Sequence, residues 1–373
     1  MIFDSESVFE ENVITVLKQH GWKDGVLRYP TERDLLDNWK DILYRNNNDI
    51  DRLGKYPLTD GEMTQIIEQI ETLRTPLALN SFVNGRTVSI TRDNKEDVAH
   101  FGKEVSLYIY DRKEIAGGKS TYQIAQQPVY PAKNKMLNSR RGDLVLLING
   151  MPLIHIELKK SGIPVSQATN QIEKYAHEGV FTGLFRLVQI FVAMNPDDAV
   201  YFANPGVDKF NPSYYFHWAD YNNEPICGGQ NPGKDEWKLF IGGTSGTAGL
   251  LSIPMAHQLI GFYTIADSAD GCLKVLRSYQ YIAANAISDV VRKCDWEQRP
   301  TTPGRPGGYV WHTTGSGKTM TSFKSAQLIA DSHDADKVVF LMDRIELGTQ
   351  SLKEYRSFAD SETEVQGTET VSY

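Results

Sequence analysis

Two stretches of this chain hold charged side chains at spacings that could do chemistry. One is HTTGSGKT, His312 to Thr319. A short apolar run, Tyr309 to Trp311, precedes it, and a helical pattern, Thr321 to Ala330, follows. KVVFLMD, Lys337 to Asp343, then reads as a second buried strand. Strand, glycine-rich loop, helix and strand make the setting of a phosphate-binding loop. Gly315 and Gly317 let the backbone approach a polyanion, and the N–H groups opening the helix point at its phosphates. Lys318 would reach the β- and γ-phosphates, and the Thr319 hydroxyl would hold Mg²⁺. The candidate nucleotide-binding residues are therefore Thr314, Gly315, Ser316, Gly317, Lys318 and Thr319, with ATP and Mg²⁺ as ligands. His312 stands where such loops usually carry their first glycine, while the GSGKT core is intact. The other stretch is IHIELKKSG, Ile154 to Gly162, in which Ile154, Ile156 and Leu158 alternate with His155, Glu157 and Lys159. Period-two alternation predicts a half-buried strand. Its polar face carries an imidazole, a carboxylate and an ammonium in a row. That face is either a solvated mixed-charge surface or a site.

These residues need a scaffold. Ser5 to His20 predicts an amphipathic helix with Val8, Phe9, Val13, Val16 and Leu17 at helical spacing, closed by Gly21. Gly61 to Arg74 predicts a second helix, residues 80 to 130 short strands and turns, and Gln167 to Glu178 another helix. Asp143 to Leu158 is two strand-like runs around Asn149-Gly150, a strong hairpin signal. Leu187 to Met194 predicts a more fully apolar strand. Glycine becomes dense between Cys227 and Gly249, which predicts a domain boundary near residue 245.

The composition suits such a scaffold. A chain of 373 residues with 40% hydrophobic and 23% charged residues fits two globular domains. Three widely separated cysteines form neither a disulfide framework nor a metal-ligand pair, so a reducing, cytoplasmic setting is expected. The acidic N-terminus has no signal-peptide pattern. The longest apolar stretch, Gly183 to Met194, contains Arg186 and Gln189 and is too short to span a bilayer, so no membrane partner is expected. A net charge of −8 does not advertise a nucleic-acid partner, but Lys133, Lys135, Arg140 and Arg141 form a local basic segment that could steer a polyanion.

Taken together, WHTTGSGKT, the RSYQ stretch Arg277 to Gln280, MDRIELGTQ, and RGDLVLLINGMPLIHIELKK resemble the R (restriction, motor) subunit of type I restriction-modification enzymes. The resemblance implies a PD-(D/E)xK nuclease domain over residues 1–245. Its α/β fold would be a mixed sheet flanked by helices. The start of a RecA-like superfamily 2 helicase domain would follow over 246–373. It implies that Asp143 and Glu157 hold Mg²⁺, with Lys159 beside them to orient water or neutralise charge. Glu10 would close the metal site, with Glu11 an alternative by one position. Gln171 and Tyr175 match the QxxxY motif that lies beside the site in the RecB-like branch of these nucleases, and His155 reads as a structural neighbour. Gln280 falls in the adenine-contacting Q motif, and Asp343, Arg344 and Gln350 in the region of motif Ia along the DNA track.

The expected activity is that of a type I site-specific deoxyribonuclease, cutting double-stranded DNA and coupled to ATP-driven translocation. The expected partners are DNA and the modification and specificity subunits. The chain carries no D-E-x-H box after Asp343. It therefore reads as the front of a longer polypeptide, ending before the Walker B acid, able to bind ATP without running as a motor. The rival readings are a non-catalytic DNA-binding or assembly module, and another helicase–nuclease fusion. Among the latter, the type III order of nuclease after motor does not match.

A metal site also constrains the hairpin. With a plain two-residue loop at Asn149-Gly150, Asp143 would oppose Ile156 and lie on the apolar face, away from Glu157 and Lys159. A three-residue loop would set it opposite His155. An odd-length loop or a bulge between Asp143 and Glu157 is therefore expected.

Overall fold

One apolar run, LVLLINGMPLIHIEL, supplies the two central strands of the molecule. The computed structural model describes residues 2–115, 118–131, 140–207, 209–229, 235–294, 307–342, 344–359 and 365–367. In chain order the elements are α1 (Glu6–Gln19), β1 (Val26–Arg28), α2 (Glu32–Asn46), α3 (Asp60–Thr72), α4 (Pro76–Asn84), β2 (Thr87–Thr91), β3 (Glu104–Tyr108) and β4 (Tyr122–Gln126). They continue with β5 (Leu144–Ile148), β6 (Met151–Leu158), α5 (Val165–Glu178), β7 (Ile190–Met194), β8 (Ala199–Ala203), α6 (Glu236–Gly242) and α7 (Met255–Gly261). The remainder are β9 (Thr264–Asp267), β10 (Cys272–Val275), α8 (Ser278–Lys293), α9 (Lys318–Asp331) and α10 (Ile345–Phe358).

A six-stranded sheet runs in the order β1-β4-β5-β6-β7-β8. It is mixed: β1 pairs parallel with β4 and β6 parallel with β7, while the other neighbours are antiparallel. The helix expected from Ser5 forms as α1, with the Ser5 side chain accepting from Val8 N at 3.3 Å. Its buried stripe is Phe9, Val13, Val16 and Leu17, whereas Val8 is exposed rather than part of it. Helix α5 ends where Gly179 turns left-handed at φ 71°, and its Ala168 and Ile172 pack on Phe191 and Ala193 of β7.

Three expectations are corrected. β6 is not half-buried: all eight of its residues are buried, including His155 and Glu157, because helix α5 and a full partner strand on each side cover it. The solvated-surface reading of its polar face therefore falls. The region 80–130 is not only strands and turns, since α4 extends to Asn84. Tyr309–Trp311 and residues 337–342 do not form strands, and Tyr309, Trp311, Val339 and Leu341 are exposed. A strand of a parallel sheet finds its partner across a crossover rather than next to itself in sequence, and among the described residues no chain pairs with either run.

Residues 244–246 are exposed, but the chain packs on either side of them. Leu250 and Leu251 are buried in the same core as Trp22 and Trp237, and Trp22 Nε1 donates to Leu251 O at 2.6 Å. Among the described residues no helix is long and apolar enough to cross a membrane, and the three cysteines are free thiols.

Candidate active site

The hairpin decides whether Asp143 meets Glu157. Asn149 (φ 52°) and Gly150 (φ 83°) both take the left-handed conformation of a two-residue I′ turn. The Asn149 side chain pins the turn, accepting from Thr121 N at 2.9 Å and donating to Ile109 O at 3.2 Å. Beyond the turn the pairing shifts: Leu147 faces Pro152 but Leu146 faces Ile154, so Leu153 is an extra residue in β6. Pro152 has no N–H to give the ladder, which suits a bulge here. The expected irregularity is thus present as a bulge, not as a three-residue loop. Leu144 faces Ile156, and one step outward Asp143 faces Glu157 rather than His155. Across β6 and β7, His155 pairs with Phe191 and Glu157 with Ala193, so both lie on the face that α5 covers.

Asp143 Oδ2 accepts from Leu158 N at 2.7 Å, which holds it against β6. Neither Glu157 oxygen has a hydrogen-bond partner, although the residue is 0% exposed. Lys159 Nζ lies 3.8 Å from Glu157 Oε1 and 3.7 Å from Glu6 Oε1, and donates to Leu158 O at 2.8 Å. Burial pushes the Glu157 carboxyl up to about 8 against the pull of Lys159. Burial, then the neighbouring Glu157 charge, raises Asp143 well above the usual carboxylate range. A fully buried carboxyl with orphaned oxygens, side by side with a half-buried one, is costly unless a proton or a cation neutralises the pair. Carboxylate oxygens suit a hard divalent cation, so the pair fits Mg²⁺.

Helix α1 turns Glu10 and Glu11 to different surroundings. Glu10 turns inward, where its carboxyl accepts from Gln126 Nε2 at 2.5 Å and from Gln127 Nε2 at 3.2 Å. Burial raises its pKa above the ordinary carboxylate value, the two amides offset this in part, and the neighbouring Asp143 charge raises it further. Glu11 pairs with Arg28 at 2.8 Å on the surface and also accepts from Gln126 Nε2 at 2.9 Å. Among the described residues no three His, Cys, Asp or Glu side chains form a ligand cage by themselves. Glu10 thus stands beside the acidic pair with its oxygens held by amides. On α5, Gln171 Nε2 donates to Tyr175 Oη at 2.7 Å, and Tyr175 Oη donates to Arg141 O at 2.9 Å, two residues before Asp143. Burial carries the Tyr175 hydroxyl up to about 12. Of the basic segment, Arg140 pairs with Glu178 at 2.8 Å and Arg141 lies over the Tyr29 ring at 5.9 Å, while Lys133 and Lys135 lie outside the described residues.

Sequence reasoning missed the amides that hold Glu10. Gln127 also takes φ 49°, unusual for a residue with a side chain, and donates its N–H to Asp143 O at 2.8 Å. Strain of that kind gathers at functional sites. The only signal was two adjacent glutamines ending an apolar strand.

The glycine-rich loop is built as its glycines require, with Gly315 at φ 76° and Gly317 at φ 79° capping α9. Ser316 Oγ donates to Thr313 O at 2.7 Å and lies 2.9 Å from His312 Nδ1, so His312 braces the loop. Lys318 Nζ lies 3.4 Å from Thr313 O, and Thr314 is exposed. Gln280 is brought to the loop, its Nε2 donating to Ser316 O and Gly317 O at 3.4 Å each. Thr319 follows Lys318 in the first turn of α9. Of the motif Ia residues, Arg344 caps α10, Gln350 lies within it, and Asp343 is outside the described residues.

Residues 4–210 match the family described as the N terminus of the type I restriction enzyme R protein, and residues 279–372 match SWI2/SNF2 ATPases. The chain is 32% identical over 361 residues to a type I restriction enzyme endonuclease subunit of Staphylococcus aureus strain MSSA476, covering 96% of this chain and 34% of that protein. It is 31% identical over 367 residues to one from Staphylococcus saprophyticus, with 96% and 34% covered. To the EcoprrI endonuclease subunit of Escherichia coli it is 29% identical over 217 residues, 57% of this chain and 62% of that protein. The chain thus spans about a third of the length of its staphylococcal relatives.

Proposed function

This chain belongs to the type I restriction enzyme R-protein family, and from that premise we propose that it carries a Mg²⁺-dependent, PD-(D/E)xK-type nuclease that hydrolyses phosphodiester bonds of double-stranded DNA. The observation that carries this reading is the Asp143–Glu157 pair, set on one face by the Leu153 bulge, with the buried Glu157 oxygens unpartnered and Lys159 beside them. Asp143 and Glu157 would hold the ion, with Glu10 adjoining. The ion, when bound, polarises the scissile phosphate and lowers the pKa of water. Lys159 offsets negative charge developing on the phosphate and orients the attacking water. Tyr175 and Gln171 brace Arg141, and with it the approach to Asp143.

The same reading assigns residues 1–245 to the nuclease and 246–373 to the start of a RecA-like ATP-binding unit. There Thr314 to Thr319 take the phosphates with Mg²⁺, and Gln280 takes the adenine. In the longer proteins of the family this unit would drive translocation, alongside modification and specificity subunits. DNA contacts of this chain are expected to be to phosphates rather than base edges.

Plasmid nicking by the purified chain, and cleavage by the assembled restriction enzyme, test the proposal. Cleavage should require Mg²⁺ and vanish in Asp143→Ala and Glu157→Ala. A wild-type assembly that binds DNA, hydrolyses ATP and never cuts would instead establish a non-catalytic module.

A further inference from the structure

Behind Glu157 lies a second pair of side chains. Tyr130 Oη is 2.8 Å from His155 Nδ1, and His155 Nε2 is 3.2 Å from Glu157 Oε2. Tyr130, His155 and Glu157 are all buried. The imidazole is enclosed by aromatic rings, with Phe181 at 5.4 Å, Phe191 at 6.0 Å and Tyr175 at 6.4 Å between centroids. It has no room to swing away. Gly142, directly before Asp143, makes space for the pair: a Cβ there would fall 2.5 Å from Tyr130 Oη and 2.8 Å from His155 Cε1.

We infer that His155, held by Tyr130, is a positioning residue that fixes the Glu157 carboxylate for its divalent cation. This rests on the metal-site reading of Asp143 and Glu157. The tautomer follows from the partners. If Tyr130 donates its hydroxyl hydrogen to Nδ1, the ring hydrogen sits on Nε2 and points toward Glu157 Oε2. The opposite tautomer would set a nitrogen lone pair against a carboxylate oxygen. Nε2 and Oε2 face each other off the ideal line, and neither has another hydrogen-bond partner among the described residues. A small turn of the carboxylate completes the contact. The terminal torsion of a glutamate is soft, so without a donor behind it nothing directs its lone pairs. With the donor in place, Oε2 is oriented from behind and Oε1 stays open toward Lys159, 3.8 Å away. Groups that orient metal ligands in this way govern affinity nearly as strongly as the ligands do.

The test is Mn²⁺ binding to the full chain by isothermal titration calorimetry without DNA, with melting temperatures measured in parallel. Wild type should bind Mn²⁺ and Glu157→Gln should lose binding. His155→Leu should bind roughly 10- to 100-fold more weakly with its melting temperature retained. His155→Gln, which returns an N–H near the Nε2 position, should regain most of the affinity. Tyr130→Phe, which removes one oxygen, should weaken binding by less than His155→Leu. Wild-type affinity in His155→Leu, with binding abolished in Glu157→Gln, overturns this inference and leaves the metal site standing. Equal binding by wild type and Glu157→Gln overturns the metal site, and this inference with it. Should His155→Leu fail to fold, Tyr130→Phe decides, and unchanged affinity there overturns the role of the pair.

Discussion

The acidic pair and the phosphate loop are built in opposite ways. Glu157 lies on a strand paired along both edges, beneath a helix and fully buried, and Asp143 leads into the neighbouring strand, half-buried beside it. Thr314 and Lys318 are exposed, and the apolar runs on either side of their loop are unpaired among the described residues. The difference follows from topology. A hairpin brings its own partner strand two residues away, so a site on it is completed by local sequence. A phosphate loop belongs to a parallel sheet, whose strands must be recruited from distant segments. The first kind of site buries a carboxyl at a cost in charge, while the second is wet and depends on neighbours.

Substitutions that separate the two regions should show the largest effects. Asp143→Ala or Glu157→Ala should reduce DNA cleavage by the assembled enzyme by more than the roughly 10- to 100-fold typical of residues one step behind a ligand, and leave its ATP hydrolysis near wild type. Loss of both activities together would indicate that the regions are not independent.

The next effect concerns stability and pH. Glu157 is raised from its ordinary 4.5 to about 8 by burial, and Asp143 is raised in the same direction. A carboxyl raised on folding binds its proton more tightly in the native state, so metal-free stability should fall as pH rises from about 4.5 to about 8. The size should be on the order of a few kcal/mol. Melting temperatures in EDTA at several pH values should show the decline, Glu157→Gln should remove most of it, and Mg²⁺ should restore stability at the alkaline end. A flat profile in EDTA would mean the carboxyls are solvated. His155 is lowered to about 4 by burial, so its contribution is lost as pH falls below 6.5; it offsets part of the carboxyl trend there, and the decline is clearest above 6.5.

Lys318→Ala should weaken ATP binding by about tenfold or more, the scale of one lost charge-assisted phosphate contact, with Mn²⁺ binding at the acidic pair unchanged. Fluorescent-nucleotide titration measures this. Equal binding by variant and wild type would remove Lys318 from the phosphate site.

The smallest contrast is between two glycines. Gly150 and Gly315 both have positive φ, yet a Cβ on Gly150 would lie 2.9 Å from Trp39 Cα, while one on Gly315 meets nothing within 4 Å. Gly315→Ala should cost about 1 kcal/mol from backbone strain alone, and Gly150→Ala measurably more. Denaturant midpoints would decide, and equal costs would mean the hairpin turn yields as easily as the open loop.

The sequence by itself determined the features that depend on near neighbours. Asn149-Gly150 requires a tight turn, Ser5 and Gly179 bound their helices, and Gly315 and Gly317 shape a loop that opens α9. Even the irregularity in the hairpin was legible, because only a shifted register sets Asp143 on the face of Glu157. Whether a bulge or a longer loop supplied the shift was not, since both satisfy the same count. Tertiary structure alone decided what depends on distant segments. The alternation in IHIEL looks half-exposed until α5 and β7 cover it. Glu10 and Glu11 are equivalent until the fold buries Glu10 against Gln127 and leaves Glu11 to Arg28, with Gln126 reaching both. His155 has no evident purpose until Tyr130, 25 residues away, reaches its other nitrogen. Backbone conformation is set by the residues on either side, but burial and the direction of a hydrogen bond are set by whatever the fold brings across the sheet.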